Sequence, residues 1–509
     1  MEKSLIKSSS VVTVMTLLSR ILGLVRDFFI AKYFGANGLS DAFLVAFRIP
    51  NFFRRLFAEG AFSQAFIPIL ADNKANKSEA EVQLVINHIG TRLFTILILI
   101  TTVAVLLAPI VIFLFAWGFY FKSDTTQFYL ASDMLRITFP YLLLISLTAL
   151  SGAILNTYDN FSVPAFTPVL LNISLILSAI FLSQYMETPI TALAWGVLIG
   201  GFAQLFFQIP FLIKIKRLPK LQFGHHEALT TLKKRLIPAL FGVSVSQINL
   251  LIDTMIASTL IAGSVSWLYY SDRLLELPLA LIGIALATVA LAKLSHYYAN
   301  NNTKEFTNIV DKALLYALLL GLPSCVGLVM LSDELIVTLF QYQEFDQYAA
   351  KQSSSSLKAY GAGLMAFIAI KILAPVFLSR GDTKTPVKAG IVAMVSNIFL
   401  NVILAYYYGH VGLAAATSIS ALLNASFLYY YLRKQFIFKL NNEFFKMLFK
   451  VIFASIIMAM YVYFTSTNIE SYLQSVALDR IMMISKTILI SVLIYFSSLY
   501  LMGIRINKI

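Results

Sequence analysis

Apolar stretches long enough to cross a membrane follow one another along almost all of this 509-residue chain. A transmembrane helix needs about 20 mostly apolar residues, and fourteen segments of the sequence meet that requirement. They lie at 8–33, 39–71, 83–118, 128–156, 163–184, 190–213, 235–261, 266–294, 306–331, 357–379, 386–407, 411–432, 444–465 and 480–502. The sequence therefore predicts an all-α polytopic membrane protein with fourteen transmembrane helices.

The composition excludes the main classes of soluble protein. Only 13% of the residues are charged and 59% are apolar, whereas a soluble domain is about 25% charged. The single cysteine, Cys325, excludes a disulfide framework and a cysteine-ligated metal site. A nucleotide-binding P-loop and a zinc-protease motif are both missing from the sequence, so we expect neither an enzyme nor an organic cofactor.

Positive charge is concentrated in alternate loops, which predicts an orientation. The basic loops lie around residues 3–7, 74–77, 214–235, 293–304, 380–384, 433–446 and 505–508. The opposite loops contain little beyond Lys32, Lys122, Lys351 and Arg480. Because cytoplasmic loops carry the excess of lysine and arginine, we expect both termini and loop 214–235 to be cytoplasmic and the acidic loop 333–350 to be periplasmic. The net charge of +14 is explained in this way, without nucleic acid as a partner.

Weak internal similarity divides the chain into two halves. Asp27 and Asp253 are 226 residues apart, and Asp159 and Asp382 are 223 apart, each within similar surroundings. This spacing predicts two six-helix lobes, 1–217 and 218–434, related by a pseudo-two-fold axis, with substrate bound between them and alternating access. Two additional helices in 435–509 either pack at the periphery or form an apolar groove for a lipid tail.

Charged residues inside the predicted spans are the main indication of function. They are Arg20, Arg26 and Asp27 in the first span, Asp41, Arg48, Arg54, Arg55 and Glu59 in the second, and Asp272, Arg273 and Glu276 in the eighth. A charge at the bilayer centre costs at least ~2.5–3.5 kcal/mol, so such residues usually face a cavity or one another. Arginine binds phosphate and carboxylate through two parallel hydrogen bonds. The charges therefore indicate a cationic cavity for an anionic head group, or else pairs that lock helices together.

Three segments resemble a known family of membrane proteins. They are SRILGLVRD at 19–27, PNFFRRLFAEGAFSQAF at 50–66 and SVSWLYY at 264–270. They are similar to the MurJ (MviN) family of lipid II flippases, within the MOP exporter superfamily. The resemblance covers nearly all of the first twelve spans, whereas the last two match in hydropathy alone.

The resemblance implies a function in peptidoglycan biosynthesis, and thus in cell wall biogenesis and cell shape. The expected substrate is lipid II, an undecaprenyl-pyrophosphate-linked disaccharide pentapeptide, moved from the cytoplasmic to the outer leaflet of the bacterial inner membrane. The implied substrate-binding residues are Arg20, Arg26, Asp41, Asn51, Arg54, Glu59, Arg273 and Glu276. Cell-wall synthesis or division proteins are the implied partners. Two alternatives stay open: a MOP-type exporter of another polyprenyl-linked glycan, and a non-transporting scaffold of cell-wall synthesis.

A second group of polar residues indicates a candidate cation site. Asp253 lies inside the seventh span, Asn397 and Asn401 share one face of the eleventh, and Thr417 lies on the twelfth. These hard oxygen ligands suit sodium or another small cation, which would couple transport to an ion gradient. The membrane potential and the substrate gradient are the alternative sources of energy. Alternatively, Asp253 is protonated or hydrogen-bonded to Asn397 and stabilises the second half.

Overall fold

The computed structural model describes residues 2–55, 62–435, 437–466, 472–473 and 475–504, and these fold into helices joined by short turns. The helices are α1 (Glu2–Phe34), α2 (Gly38–Phe53), α3 (Ser63–Asn76), α4 (Glu79–Leu106), α5 (Ala108–Ala116), α6 (Gly118–Phe121), α7 (Thr126–Thr138), α8 (Tyr141–Thr157), α9 (Ser162–Leu177), α10 (Thr191–Lys214), α11 (Glu227–Thr259), α12 (Ser264–Pro278), α13 (Ala285–Ala299), α14 (Thr303–Met330), α15 (Ser332–Phe340), α16 (Gln347–Ala362), α17 (Leu364–Leu378), α18 (Lys384–Lys434), α19 (Asn442–Thr465) and α20 (Ala477–Leu501). The predicted all-α class is confirmed.

The described residues of each of the fourteen predicted apolar segments lie mainly on one or more of these helices. Within the described ranges, nine helical stretches are long and apolar enough to cross a membrane, and two of them join neighbouring helices, α7 with α8 and α12 with α13. The pair α16 and α17, bent by 43°, makes a tenth. The multi-pass helical architecture is therefore confirmed, and the count of fourteen spans stays a prediction. The predicted loop 214–235 is shorter than expected, because α11 begins at Glu227.

A glycine turn divides α18 into the two spans that the sequence predicts. Gly409 has φ 57° and ψ −136°, a backbone conformation that residues other than glycine rarely adopt. Beyond the turn, the hydroxyl of Ser420 donates to the carbonyl of Ala393 at 2.7 Å. The two halves of α18 therefore fold back against each other. Gly412 allows this close approach, since a Cβ there would lie 2.0 Å from the carbonyl oxygen of Leu404.

The contacts within the chain define two compact units, Met1–Gly263 and Ser264–Ile509. Helix α11 belongs to the first unit, where it packs against α3, α5 and α6. This division falls later than the predicted lobe boundary at 217/218, which rests on the internal repeat and stays a prediction. In the second unit, α19 and α20 pack against α14, and the hydroxyl of Tyr495 donates to the carbonyl of Leu319 at 2.7 Å. The predicted tail groove in 435–509 likewise stays a prediction.

Candidate functional site

Arg26 is buried in an ion pair within the first unit. Its Nε and Nη2 atoms donate to Oδ1 of the adjacent Asp27 at 2.9 and 2.6 Å, and Asp27 is completely buried. The third guanidinium nitrogen, Nη1, donates to Oδ1 of Asn172 on α9 at 3.0 Å. Asn172 in turn donates to the carbonyl of Ser19 at 3.1 Å. The side-chain amide of Asn172 thus connects α9 to α1 through both its oxygen and its nitrogen. This arrangement is expected of residues that lock two helices together.

Arg20, two turns earlier on α1, is exposed within its unit. Helical periodicity places Arg20 and Asp27 on the same face, yet Asp27 is buried and Arg20 is not. Arg20 therefore keeps its positive charge accessible within the first unit.

Asp41 lies in the first turn of α2 and is buried. The side chain of Asn37 begins the helix by accepting from the amides of Leu39 and Ser40. Oδ2 of Asp41 accepts a 2.6 Å hydrogen bond from the amide of Gly263, at the turn after α11. Asp41 thus holds this turn against the start of α2.

Lys122, in the turn between α6 and α7, is electrostatically coupled to Asp41. Its Nζ donates to Oε1 of Gln127 at 3.1 Å. Burial lowers the pKa of Lys122, and the negative charge of Asp41 acts in the opposite direction. The sequence assigns Lys122 to a loop, and the structure shows that its charge interacts with that of Asp41.

At its other end, α2 contributes the predicted polar residues near Pro50, which lies inside the helix. Nε of Arg54 donates to Oδ1 of Asn51 at 3.0 Å, and both side chains are half-buried. One turn earlier, Nη1 of Arg48 donates to Oγ1 of Thr254 on α11 at 2.6 Å. Glu59, also predicted to bind substrate, lies outside the described residues. The structure therefore brings Asn51 and Arg54 together, and it assigns Arg48 to a contact between α2 and α11.

In the second unit, Arg273 and Glu276 form an ion pair on α12. Nη1 of Arg273 lies 3.1 Å from Oε2 of Glu276, and the side chains are 33% and 48% exposed. The guanidinium carbon also lies 5.7 Å from the centre of the Tyr269 ring. In contrast to Arg26, this pair keeps a substantial exposed surface within its unit.

The candidate cation ligands are divided between the two units. Asn397 and Asn401 are completely buried on α18, and Nδ2 of Asn401 donates to Oδ1 of Asn397 at 2.9 Å. Thr417 is half-buried, and its hydroxyl donates to the carbonyl of Leu413 at 3.0 Å. Asp253 is half-buried on α11 of the first unit. Their amide, hydroxyl and carboxylate oxygens are of the type that sodium prefers, and the structure brings the two asparagines together.

Sequence reasoning missed the role of Asn172. It begins a formal glycosylation triplet inside a span, which had no evident meaning in the sequence. The available signal was a polar amide in an otherwise apolar segment, which predicts a buried hydrogen-bond partner on a neighbouring helix.

Comparison with known proteins gives a consistent family over the whole length of the chain. The sequence profile of the family described as "Lipid II flippase MurJ" matches residues 30–483. A probable lipid II flippase MurJ from Vibrio cholerae is 44% identical, over 100% of this chain and 98% of its own length. The lipid II flippase MurJ of Burkholderia cenocepacia is 38% identical, over 96% of each chain.

Solved structures agree with the sequence comparisons. A lipid II flippase MurJ in an inward closed conformation superimposes with a TM-score of 0.81 at 30% identity, over 96% of this chain and 97% of its own. An inward-facing MATE transporter of the MOP superfamily matches with a TM-score of 0.69 at 15% identity, covering 84% of this chain. At that identity the second match shows a shared fold alone.

Proposed function

The chain belongs to the lipid II flippase MurJ family, and from this membership we propose that it carries lipid II across the bacterial inner membrane. The observation that supports the proposal most strongly is the end-to-end similarity to the Vibrio cholerae relative, together with the structural match to a MurJ flippase. Flipping moves a lipid between leaflets without making or breaking a covalent bond, so the function needs a cavity and not a catalytic group.

Three arginines are the proposed binding groups for the pyrophosphate of lipid II: Arg20, Arg54 and Arg273. Each keeps part of its side chain exposed within its own unit, so its guanidinium group remains accessible to a ligand. A guanidinium group binds phosphate oxygens through two parallel hydrogen bonds, and several such groups would replace the water that a pyrophosphate loses on leaving the membrane surface. Asn51, Glu59 and Glu276 would orient these cations, and Asp41 would hold the turn at Gly263 that follows α11.

Arg26 is proposed to act differently from the other three arginines. It is 7% exposed and hydrogen-bonded to both Asp27 and Asn172. Using it to bind substrate would require breaking a buried ion pair, which is costly. Its role in transport would therefore be to hold α1 against α9.

The proposed transport cycle uses the two lobes of the internal repeat. Lobes 1–217 and 218–434 would open the cavity alternately to the two sides of the membrane, as expected for transporters with parallel repeats. The undecaprenyl tail would follow a groove formed by residues 435–509. Energy would come from a cation bound by Asp253, Asn397, Asn401 and Thr417, or from the membrane potential.

Complementation of a depletion strain tests the proposal. Cells are depleted of the protein and supplied with Arg20→Ala, Arg54→Ala or Arg273→Ala, and the lipid II accessible on the outer face is measured. We expect each variant to reach the membrane in normal amounts and to leave the outer-face lipid II close to the level in depleted cells. Arg136→Ala is the matched control for Arg273→Ala, since Arg136 forms an exposed pair with Asp133 three residues away and is not among the predicted binding residues.

Two outcomes would contradict the proposal at different levels. If depletion leaves the outer-face lipid II unchanged, the chain transports another polyprenyl-linked glycan or acts as a scaffold. If depletion lowers it but two or more arginine variants restore it fully, the chain is a flippase whose pyrophosphate site lies elsewhere.

A further inference from the structure

The segment that joins α10 to α11, residues 215–226, lies along α4; we call it the linker strap. Three polar side chains of α4 bind its backbone. Nε2 of Gln83 donates to the carbonyl of Leu218 at 3.0 Å, Oδ1 of Asn87 accepts from the amide of Lys220 at 2.9 Å, and Oγ1 of Thr91 accepts from the amide of Gln222 at 2.8 Å. Because Gln83, Asn87 and Thr91 are four residues apart, they share one face of α4.

Both ends of the linker strap are fixed as well. At the start, Nε of Arg217 donates to the hydroxyl of Tyr158 at 2.6 Å, and the guanidinium group pairs with the carboxylate of Glu79. At the end, His226 begins α11 by accepting from a helix amide, and its ring stacks on His88 of α4 with centroids 5.3 Å apart. The linker strap is therefore held in one conformation from its polar side.

The opposite side of the linker strap is unusually apolar for a loop. Leu221 is 69% exposed and Phe223 is 74% exposed, and Leu218 is also partly exposed. Three exposed lysines, Lys214, Lys216 and Lys220, accompany them. A surface that combines exposed apolar side chains with lysines is typical of segments that lie in the interface of a membrane. The backbone carbonyl of Leu218 and the amides of Lys220 and Gln222, groups that face water in many loops, bond instead to side chains of α4.

The position of the linker strap along α4 places this surface beside the hydrocarbon layer. Its bonds extend from Glu79, at the start of α4, to Thr91. The next residue, Arg92, is exposed, and no charged residue occurs between Arg92 and Lys122. Arg92 thus marks the point where α4 enters the apolar part of the bilayer. The segment around Leu221 reaches the level of that boundary.

We propose that the linker strap is a membrane-surface binding site, specific for anionic lipid head groups. Leu221 and Phe223 enter the interface between head groups and acyl chains, while Lys214, Lys216 and Lys220 contact the phosphates. Lysines near an anionic leaflet gain electrostatic attraction in addition to the apolar contribution. The hydrogen bonds from α4 already hold the linker strap in this geometry, so the strap does not have to fold when it binds the lipid head groups.

An environment-sensitive fluorophore at position 223 tests the proposal. Cys325 is replaced by Ser in the full-length protein, Phe223→Cys is labelled, and the protein is reconstituted in phosphatidylcholine vesicles with or without phosphatidylglycerol. We expect blue-shifted emission that lipids brominated near the head group quench, with stronger quenching when phosphatidylglycerol is present. High salt should weaken only the phosphatidylglycerol-dependent part.

Charge-neutralising variants provide the matched comparison. Lys214→Gln, Lys216→Gln and Lys220→Gln together should abolish the additional quenching by phosphatidylglycerol vesicles. The control removes the same number of exposed charges from α11, by Lys233→Gln, Lys234→Gln and Arg235→Gln. We expect the additional quenching by phosphatidylglycerol vesicles to be unchanged in this control. Water-like, unquenched emission in both kinds of vesicle would overturn the proposal, and so would emission that is blue-shifted but unquenched, which would indicate that protein covers Phe223. Neither result depends on transport of lipid II.

Discussion

Arg26 on α1 donates a 3.0 Å hydrogen bond to the amide oxygen of Asn172 on α9, while its other nitrogens pair with Asp27. The three side chains are all at least nine-tenths buried. Removing one partner of a buried ion pair leaves an uncompensated charge, whereas a surface pair costs little to break. Arg26 is therefore expected to contribute to the free energy of unfolding by compensating the buried charge of Asp27.

Arg26→Ala should destabilise the folded protein by about 3–5 kcal/mol, because it leaves the Asp27 carboxylate buried without its cation. Asn172→Ala should cost less, about 1–3 kcal/mol, since one hydrogen bond to the guanidinium group is lost. Thermal unfolding of the purified protein in detergent measures both. Arg20→Ala is the control, because Arg20 is exposed within its unit and its loss should leave the unfolding temperature unchanged. An Arg26→Ala protein of normal stability that fails in transport would instead indicate contact with substrate.

Gly118→Ala should be strongly destabilising because a Cβ at this position would lie 2.3 Å from the backbone nitrogen of Thr259 on α11. Backbone atoms cannot move aside as a flexible side chain does, so we expect a loss of at least ~1–3 kcal/mol. Gly327→Ala is the matched control, since nothing lies within 4 Å of a Cβ there; in the last turn of α14 this change should stabilise by about 0.4–1 kcal/mol. Equal unfolding temperatures for the two variants would contradict the close packing of α11 on α6.

Most of the long helices were predictable from the sequence, because a long apolar segment in a bilayer must satisfy its backbone hydrogen bonds as a helix. Helix α15 was not predicted, since it lies in the segment 333–350 that was expected to be a loop. The turn at Gly409 between two apolar segments was predictable, because glycine and the change in hydropathy coincide there. The extension of α11 back to Glu227 was not predicted. A basic, polar segment gives no hydropathy signal, and this first turn is stabilised by the local cap from His226.

The candidate site was predicted only at the level of residue types. The sequence places Arg26 and Arg54 inside spans, but it does not distinguish a charge that faces a cavity from one that is paired. For Arg26 that distinction depends on Asn172, which lies on a different helix. A long-range partner of this kind leaves no periodic pattern, so only the three-dimensional structure identifies it.

His226 should make the stability of the protein depend on pH. Burial, and then the charges of His88 and Lys77, lower its pKa, while Glu227 acts in the opposite direction and the neighbouring His225 lowers it slightly. A lowered pKa means that the folded protein binds the proton less readily than the unfolded chain does. The stabilisation is therefore complete above the ordinary pKa of about 6.5 and is lost as the pH falls through the lower pKa of the folded state.

The physical cause is the cap of α11, since Nδ1 of His226 accepts from the amide of Ala228 at 3.1 Å and a protonated Nδ1 cannot. Unfolding temperatures measured between pH 5.5 and 8 should fall on the acidic side in the wild type. His226→Asn keeps an acceptor at the cap and should flatten this part of the profile. A variant whose acid response equals that of the wild type would show that other groups cause it.

The predicted orientation is tested with single cysteines in the Cys325→Ser background. Lys234 and Glu344 are both exposed. Lys234 lies in the first turns of α11, within the segment 214–235 that is predicted to be cytoplasmic, and Glu344 lies in the segment 333–350 that is predicted to be periplasmic. An impermeant thiol reagent applied to intact cells should label Glu344→Cys and leave Lys234→Cys unlabelled until the membrane is opened. The reverse pattern would invert the orientation and place both termini outside the cytoplasm.

The last prediction concerns Asp253 as the proposed source of energy coupling. A carboxylate inside a span is costly unless it binds a proton, a cation or a partner, and Asp253 is half-buried on α11. Asp253→Asn keeps the shape of the side chain and removes its charge. If Asp253 helps to bind a cation, this variant should fold normally but lose the sodium or membrane-potential dependence of lipid II flipping in proteoliposomes. Asn401→Asp is the complementary change, since it adds a charge beside Asn397 and should increase the response to sodium. A normal flipping rate in Asp253→Asn, with unchanged responses to sodium and to membrane potential, would reduce Asp253 to a structural role and locate the energy coupling elsewhere in the protein.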